Sequence, residues 1–579
     1  MRYPFLNTKE SSRQTVDVFK GYNHNLRIGD GEFFDMKNMT SDSYPVLSPR
    51  KKRGVYASAR NPLGMIAKDS LCYVDGNDFV INEYRVDMGL NDEPKQLVSM
   101  GAYVIIMPDK KYINTLDTTD YGNIEASVTT QSDVRFSLCT IDGVDYENMA
   151  VSASEPSEPE NMALWIDTSS TPHALKQYSA ASAAWVQVAT TYIKISCSGI
   201  GAAFQQYDGV EISGIVVDHL QDLNASMVLW ACNDDYIVVT GILDAVTTQT
   251  AAEGKITLER KMPLMDFVIE SKNRLWGCRY GIADNGEVVN EIYASKLGDF
   301  KNWNCFMSLS TDSYAVSCGT DGQFTGAITH NGFPLFFKEN CVHKVYGDYP
   351  ANFGIQDTAC RGVQKDCANS MAIVNETLFY KSRSAVCAYD GSLPVEVSYA
   401  LGNEVYSEAV GGAIGNKYYI SMKGTDGDYH LFVYDIAKSM WHKEDDLKVD
   451  SFCSCRGELY AISDSEIVTM LGSGTLNNED LSWMVETGEI GLSSPDMKYI
   501  SRITIQMAID IGSEVRFFIQ YDFSDEWEMA GAFRSENRRS FSIPIRPKRC
   551  DRMKIRIEGV GTARIYSITK TIEQGSELS

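Results

Sequence analysis

Apolar residues along this chain recur in short runs of four to seven, rich in β-branched and aromatic side chains, and the runs are bounded by Asn-Gly, Asp-Gly, Gly-Asn and Gly-Gly pairs. Long segments with a 3.6-residue period are almost absent. That pattern predicts antiparallel sheets joined by tight turns. One phrase repeats, a polar turn followed by Leu or Tyr and an aromatic or aliphatic pair: Lys68 to Val74, Met100 to Ile106, Lys272 to Cys278, Asn331 to Phe337, Asn375 to Tyr380, Gly415 to Ile420 and Arg456 to Ala461. From Asn331 onward the spacing is about 44, 40 and 41 residues, the length of one four-stranded propeller blade. The expected fold is therefore all-β, a β-propeller of about six to eight blades, without a WD or kelch signature.

Two stretches break the rhythm. Residues 61–124 read as the first blades, and 125–262 as a β-rich insertion that begins before the linker signal Ser154-Glu-Pro-Ser-Glu-Pro-Glu160 and closes near Lys255 to Arg260. Blades resume over 263–480. From 481 to 579 the chain alternates cleanly, as in Ile500 to Ile509 and Met553 to Glu558, which predicts a C-terminal β-sandwich. Residues 1–60 read as a lead and assembly segment.

Charge changes this picture by where it lies. The 579 residues hold 53 Lys+Arg against 77 Asp+Glu, a net −24, which argues against holding DNA through the overall field. Residues 125–262 alone contain 18 Asp+Glu and 6 Lys+Arg, half of the net charge, whereas 501–579 contain 11 and 13. Such an insertion reads as a solvated outer face or as a passage along which a polyanion slides without sticking. Asp208, Glu211, Asp218, Asp222, Asp234 and Asp235 are its candidate channel-facing carboxylates. The short basic runs Arg50-Lys51-Lys52-Arg53 and Arg546, Lys548 and Arg549 lack interleaved aromatics, so they read as interfaces or strand edges. With Phe19, Asn23 and Arg27 of the lead they form the candidate assembly interface.

Catalytic motifs are missing. The fourteen cysteines are scattered, mostly within apolar runs, and read as buried reduced thiols; the seven histidines have no metal-ligand spacing. There is no Gly-x-Ser-x-Gly elbow, no Walker loop and no Ser-x-Asp-x-Gly-x-Thr-Trp turn of the sialidase type. Asp312 and Asp426 read as turn carboxylates because the calcium-loop alternation is lacking. The expectation is a protein without enzymatic activity, cofactor or metal. No run of 18 apolar residues suits a membrane span, and no signal-peptide pattern opens the chain, which points to synthesis in a cytosol.

The segment from Val18 to Asn38, with Phe19, Asn23, Leu26-Arg27-Ile28-Gly29, and the following Tyr44 to Gly54 resemble the opening of tailed-bacteriophage propeller proteins. That family includes the nozzle, or tail tubular protein B, and the packaged-DNA stabilisation protein. Glu270 to Cys278, Ile292 to Trp303 and Phe336 to Gly347 are similar to its blade phrases. The resemblance implies a virion protein of the tail or neck, a ring homo-oligomer, commonly a hexamer, with viral DNA passing through its lumen and portal, adaptor or other tail proteins as neighbours. The alternative is a receptor-binding or baseplate propeller that recognises host glycans through Trp165, Tyr178 and Trp185.

Overall fold

The computed structural model describes residues 11–283, 286–476, 480–490, 498–522, 524–534, 539–548, 550 and 552–574. The protein is all-β: a β-propeller with a β-rich insertion and a C-terminal β-sandwich, and its helices among the described residues are short 3-10 turns. Among the described residues seven four-stranded antiparallel arrays have blade topology: five are separate sheets, over 62–87, 96–123, 267–317, 326–359 and 372–396, the array over 407–443 is part of a ten-stranded sheet, and that over 451–469, completed by Gly54–Ser58 from the N-terminal side, is part of a five-stranded one. The repeated phrase of the sequence is the hairpin between the first two strands of a blade. At Lys272-Asn273, Asn331-Gly332 and Asn375-Glu376 both turn residues have positive φ, the geometry whose twist matches the flanking strands.

The chain divides into two compact units, residues 1–95, 337–342 and 358–579 in one and 96–336 and 343–357 in the other; the sheet over 326–359 has residues in both. In the first unit, neighbouring blades pack through Met65, Leu71, Val80, Ile462 and Ile467, and through Tyr419, Leu431, Val433 and Leu459. The lead contributes strands to larger sheets. Gly21–Tyr22 pairs with the outer strand Met440–Lys443 of a blade and lies parallel to Glu32–Lys37, which pairs in turn with Ser482–Thr487 of the sandwich. A single ten-stranded sheet therefore runs from the blade over 407–443 through the lead into Met553–Val560, Glu514–Tyr521 and Trp527–Arg534. The opposite sandwich sheet takes Ser11–Val16 beside Ala563–Gln574, Lys498–Ile509 and Arg539–Ile545. Alternate residues Met553, Ile555 and Ile557 face the buried side with Phe517 and Ile505, as the sequence alternation requires.

In the second unit the insertion is two packed sheets. One runs Ala126–Thr129, Thr257–Arg260, Gly209–Ser213, Ser226–Val228; the other runs Ala231–Asn233, Tyr236–Thr240, Tyr192–Ser196, Val134–Cys139, Thr247–Gln249. Phe136, Ile193, Ile195, Ile212, Ile237 and Leu258 fill the space between them. A smaller sheet of Ala150–Ser152, Leu164–Asp167, Ala174–Ser179 and Ala184–Gln187 branches from this sandwich and packs Ile166 and Leu175 on Leu138.

Because Phe33 lies fully buried in the strand that joins blade to sandwich, Phe33→Ala is expected to cost about 3–5 kcal/mol. Urea unfolding of the full chain followed by tryptophan fluorescence checks this; a midpoint unchanged from wild type would show that the lead is not integral to the unit.

Candidate functional site

Two clusters of charge decide where the proposed surfaces can be. The first is in the lead. Arg53 places Nη1 2.6 Å from Asp445 Oδ2 and Nη2 2.8 Å from Glu444 Oε2, and Arg50 reaches Asp445 with Nη2 at 3.0 Å. Arg50 Nε also donates to Asn38 Oδ1, and the Asn38 side-chain amide donates to the Ser482 carbonyl. Burial alone would push the Asp445 carboxyl up, but Arg53 and Arg50 hold it below its ordinary range.

The expected assembly residues are thereby divided. Phe19 is buried 5.8 Å from the Phe33 ring, and Arg50 and Arg53 are engaged within the chain, so these three are corrected from intermolecular contacts to internal ones. A basic run read from sequence carries no sign of the carboxylates that lie about 390 residues away in the chain. Asn23 is half-buried and donates its backbone N–H to the Phe33 carbonyl. Arg27, Lys51, Arg546 and Lys548 are exposed, Lys548 beside Glu528; Lys52 pairs with Asp480 at 3.3 Å. Arg549 lies outside the described residues.

The second cluster seats the insertion on its blade. Arg260 Nη1 sits 2.6 Å from Asp208 Oδ2, both side chains buried, and Arg260 Nε donates to the Ile124 carbonyl. Asn302 of the blade over 267–317 donates through Nδ2 to Asp208 Oδ1 at 2.8 Å and accepts the Gly209 N–H at 2.9 Å. A Cβ at Gly209 would lie 2.5 Å from the Asn304 carbonyl oxygen, so only glycine allows this approach. Lys110 adds bonds to Glu125 and to the Met262 carbonyl where the chain enters and leaves the insertion. Asp208 is therefore corrected from a channel-facing residue to an internal anchor.

The remaining acidic residues keep the surface. Glu211 is exposed and pairs with Lys261 at 3.0 Å, while Asp218, Asp222, Asp234 and Asp235 are exposed. Asp218 and Asp222 stand on the short 3-10 turn whose Leu220 and Leu223 point into the core. Five of the insertion's six cations, Arg135, Lys176, Lys194, Arg260 and Lys261, pair with carboxylates of the same segment, and Lys255 donates to Gln131. The four aspartates thus project charge that local cations do not neutralise.

Chemistry elsewhere is subdued among the described residues. No three His, Cys, Asp or Glu side chains are grouped to hold a metal ion. The fourteen cysteines are free, and burial pushes Cys72 to about 11 and Cys139 and Cys453 to about 12, so these thiols stay protonated at neutral pH. Among the described residues no helix is long and apolar enough to cross a membrane.

No family model and no curated protein matches the chain. Among solved structures it is similar to an exo-β-1,3-galactanase from Phanerochaete chrysosporium at 8% identity, over 52% of this chain and 94% of that one, with a TM-score of 0.22. It is similar to an engineered GH43 glycoside hydrolase at 8% identity, over 53% and 96%, with a TM-score of 0.18. It is also similar to a Trypanosoma rangeli sialidase at 8% identity, over 97% and 95%, with a TM-score of 0.21. These are enzymes, and the sequence-based expectation that the protein has no enzymatic activity is withdrawn on that finding. Likeness at this level assigns no activity or substrate to the chain.

Arg53→Met should leave Glu444 and Asp445 with Arg50 alone and destabilise the protein by about 3–5 kcal/mol, whereas Lys51→Ala should stay within about 0.5 kcal/mol. Urea midpoints of the two variants test the contrast. Since Asp445 is held below its ordinary value, its contribution is complete above about pH 4 and lost as pH falls below that. Wild-type stability measured from pH 6 to 2.5 should fall over that lower interval, and the fall should be shallower in Arg53→Met.

Proposed function

We propose that this protein is a structural component of a tailed-bacteriophage virion, in the tail or neck, where copies associate into a ring, with six the expected number, around the path of the genome. The carrying observation is the insertion's exposed Asp218, Asp222, Asp234 and Asp235 beside cations already paired within the segment. Duplex DNA binds where Lys and Arg displace its counterions, and a carboxylate wall repels it. A conduit needs that property, because any grip on the phosphates would slow a passing genome. Supporting this reading from the residues are the lead phrases between Val18 and Gly54 that resemble the phage propeller family. Portal, adaptor or other tail proteins would flank such a ring, and exposed Arg27, Lys51 and Arg546 are the lead and sandwich cations available to meet them.

Cryo-electron microscopy of the purified full chain is expected to reveal closed rings with the 125–262 insertion toward the axis. Monomers at all concentrations, or rings with the insertion on the outer rim, would overturn the conduit role.

A further inference from the structure

The last strand, Ala563–Gln574, carries an ammonium where its alternation calls for an apolar side chain. Ile568, Lys570 and Ile572 share the face that looks into the C-terminal sandwich, and Ile503, the register partner of Lys570, is fully buried on that face. Lys570 is 6% exposed, and its Nζ donates to Asp30 Oδ1 at 2.8 Å. Asp30 is its one hydrogen-bond partner among the described residues, so two of the three ammonium N–H groups have no acceptor there. Asp30 itself is exposed, on a loop between Gly29 and Gly31, and Gly31 takes φ +91°. A lysine withdrawn from water is thus held by one carboxylate that remains largely in it.

Lys570 lines a cavity of about 480 Å³ between the two sandwich sheets, open to solvent on one side. Phe33, Met553 and Ile555 of one sheet and Ile500 and Ile568 of the other, with Phe19 of the lead, form its apolar walls. The polar lining includes Asp30, the Arg552–Glu489 pair at 3.0 Å, and Gln14, the exposed register partner of Lys570 on Ser11–Val16. A hydrocarbon interior of ligand size beside an ammonium short of acceptors suits an amphiphile with an apolar tail and an anionic head. Asp30 shows which head Nζ accepts, a carboxylate, and being exposed it loses little by turning back to water. A doubly charged phosphate is opposed by Glu32 and Glu489, which line the same cavity.

We propose that this cavity binds a single-chain aliphatic carboxylate, a fatty acid. Its carboxylate takes the place of Asp30 at Lys570 Nζ and accepts from the Gln14 amide, and its chain lies against Phe33, Met553, Ile555 and Ile568. The proposal is independent of the ring-forming role.

The test titrates the full chain by calorimetry with decanoate below its micelle concentration, alongside decanol, decylamine, acetate and an acetylated apolar tetrapeptide with a free carboxylate. Decanoate should bind saturably, decanol about tenfold more weakly, and decylamine and acetate not at all. Lys570→Met, which keeps the stem and removes the charge, should weaken decanoate about tenfold and leave decanol unchanged, with the circular-dichroism spectrum of wild type. Asp30→Asn, which removes the competing carboxylate, should tighten decanoate about threefold. Ile500→Trp, which fills the cavity, should abolish binding of both. Absence of decanoate binding, equal binding of decylamine, preference for the tetrapeptide, full decanoate affinity in a folded Lys570→Met, or weaker decanoate binding in Asp30→Asn would each overturn the proposal.

Discussion

Arg50 and Arg53 lie against Glu444 and Asp445 at the point where the lead passes from the sandwich to the blades. Residues 32–37 before them complete a sandwich sheet, and Gly54–Ser58 immediately after them completes the blade over 451–469. Both pairings need the chain held between them, and buried Met39 and Leu47 do part of this while the charged residues supply the polar part. Charges withdrawn from water are tolerated only when each finds several partners, and this quartet supplies them through Arg53, bidentate on Asp445 and bonded to Glu444, and Arg50, which reaches both carboxylates and Asn38. Its worth lies in position, since removing one member leaves the others buried without compensation.

The insertion uses the same physics with the opposite outcome at its surface. Asp208, Arg260 and Asn302 form a closed, hydrogen-bonded junction that sets the insertion on its blade, and Gly209 makes the approach close. Away from the junction the cations are paired locally, so Asp218, Asp222, Asp234 and Asp235 define the outward field. Six acidic residues that look alike in the sequence thus divide into an anchor, an exposed ion-pair member and four exposed surface charges.

Local signals foretold local structure well. Turn pairs such as Asn331-Gly332 require positive φ, so their hairpins were legible residue by residue, as was the alternation of Met553 to Val560. Trp165, Tyr178 and Trp185 could be named as a set from the sequence, but not the packing of their rings on one another. Which face each ring takes depends on the register between strands separated by loops, and a shift of one residue would have reversed it.

By itself the amino-acid sequence determined that the chain is all-β, where the blades pause for an insertion, and that half the net charge sits within that insertion, because these follow from period, turn chemistry and composition. Tertiary structure alone decided that the lead supplies strands to both sandwich sheets and to a blade, and that Arg50, Arg53 and Asp208 are internal. Those outcomes rest on partners hundreds of residues away, and charge or hydrophobicity read along a chain holds no information about what folding will bring opposite it.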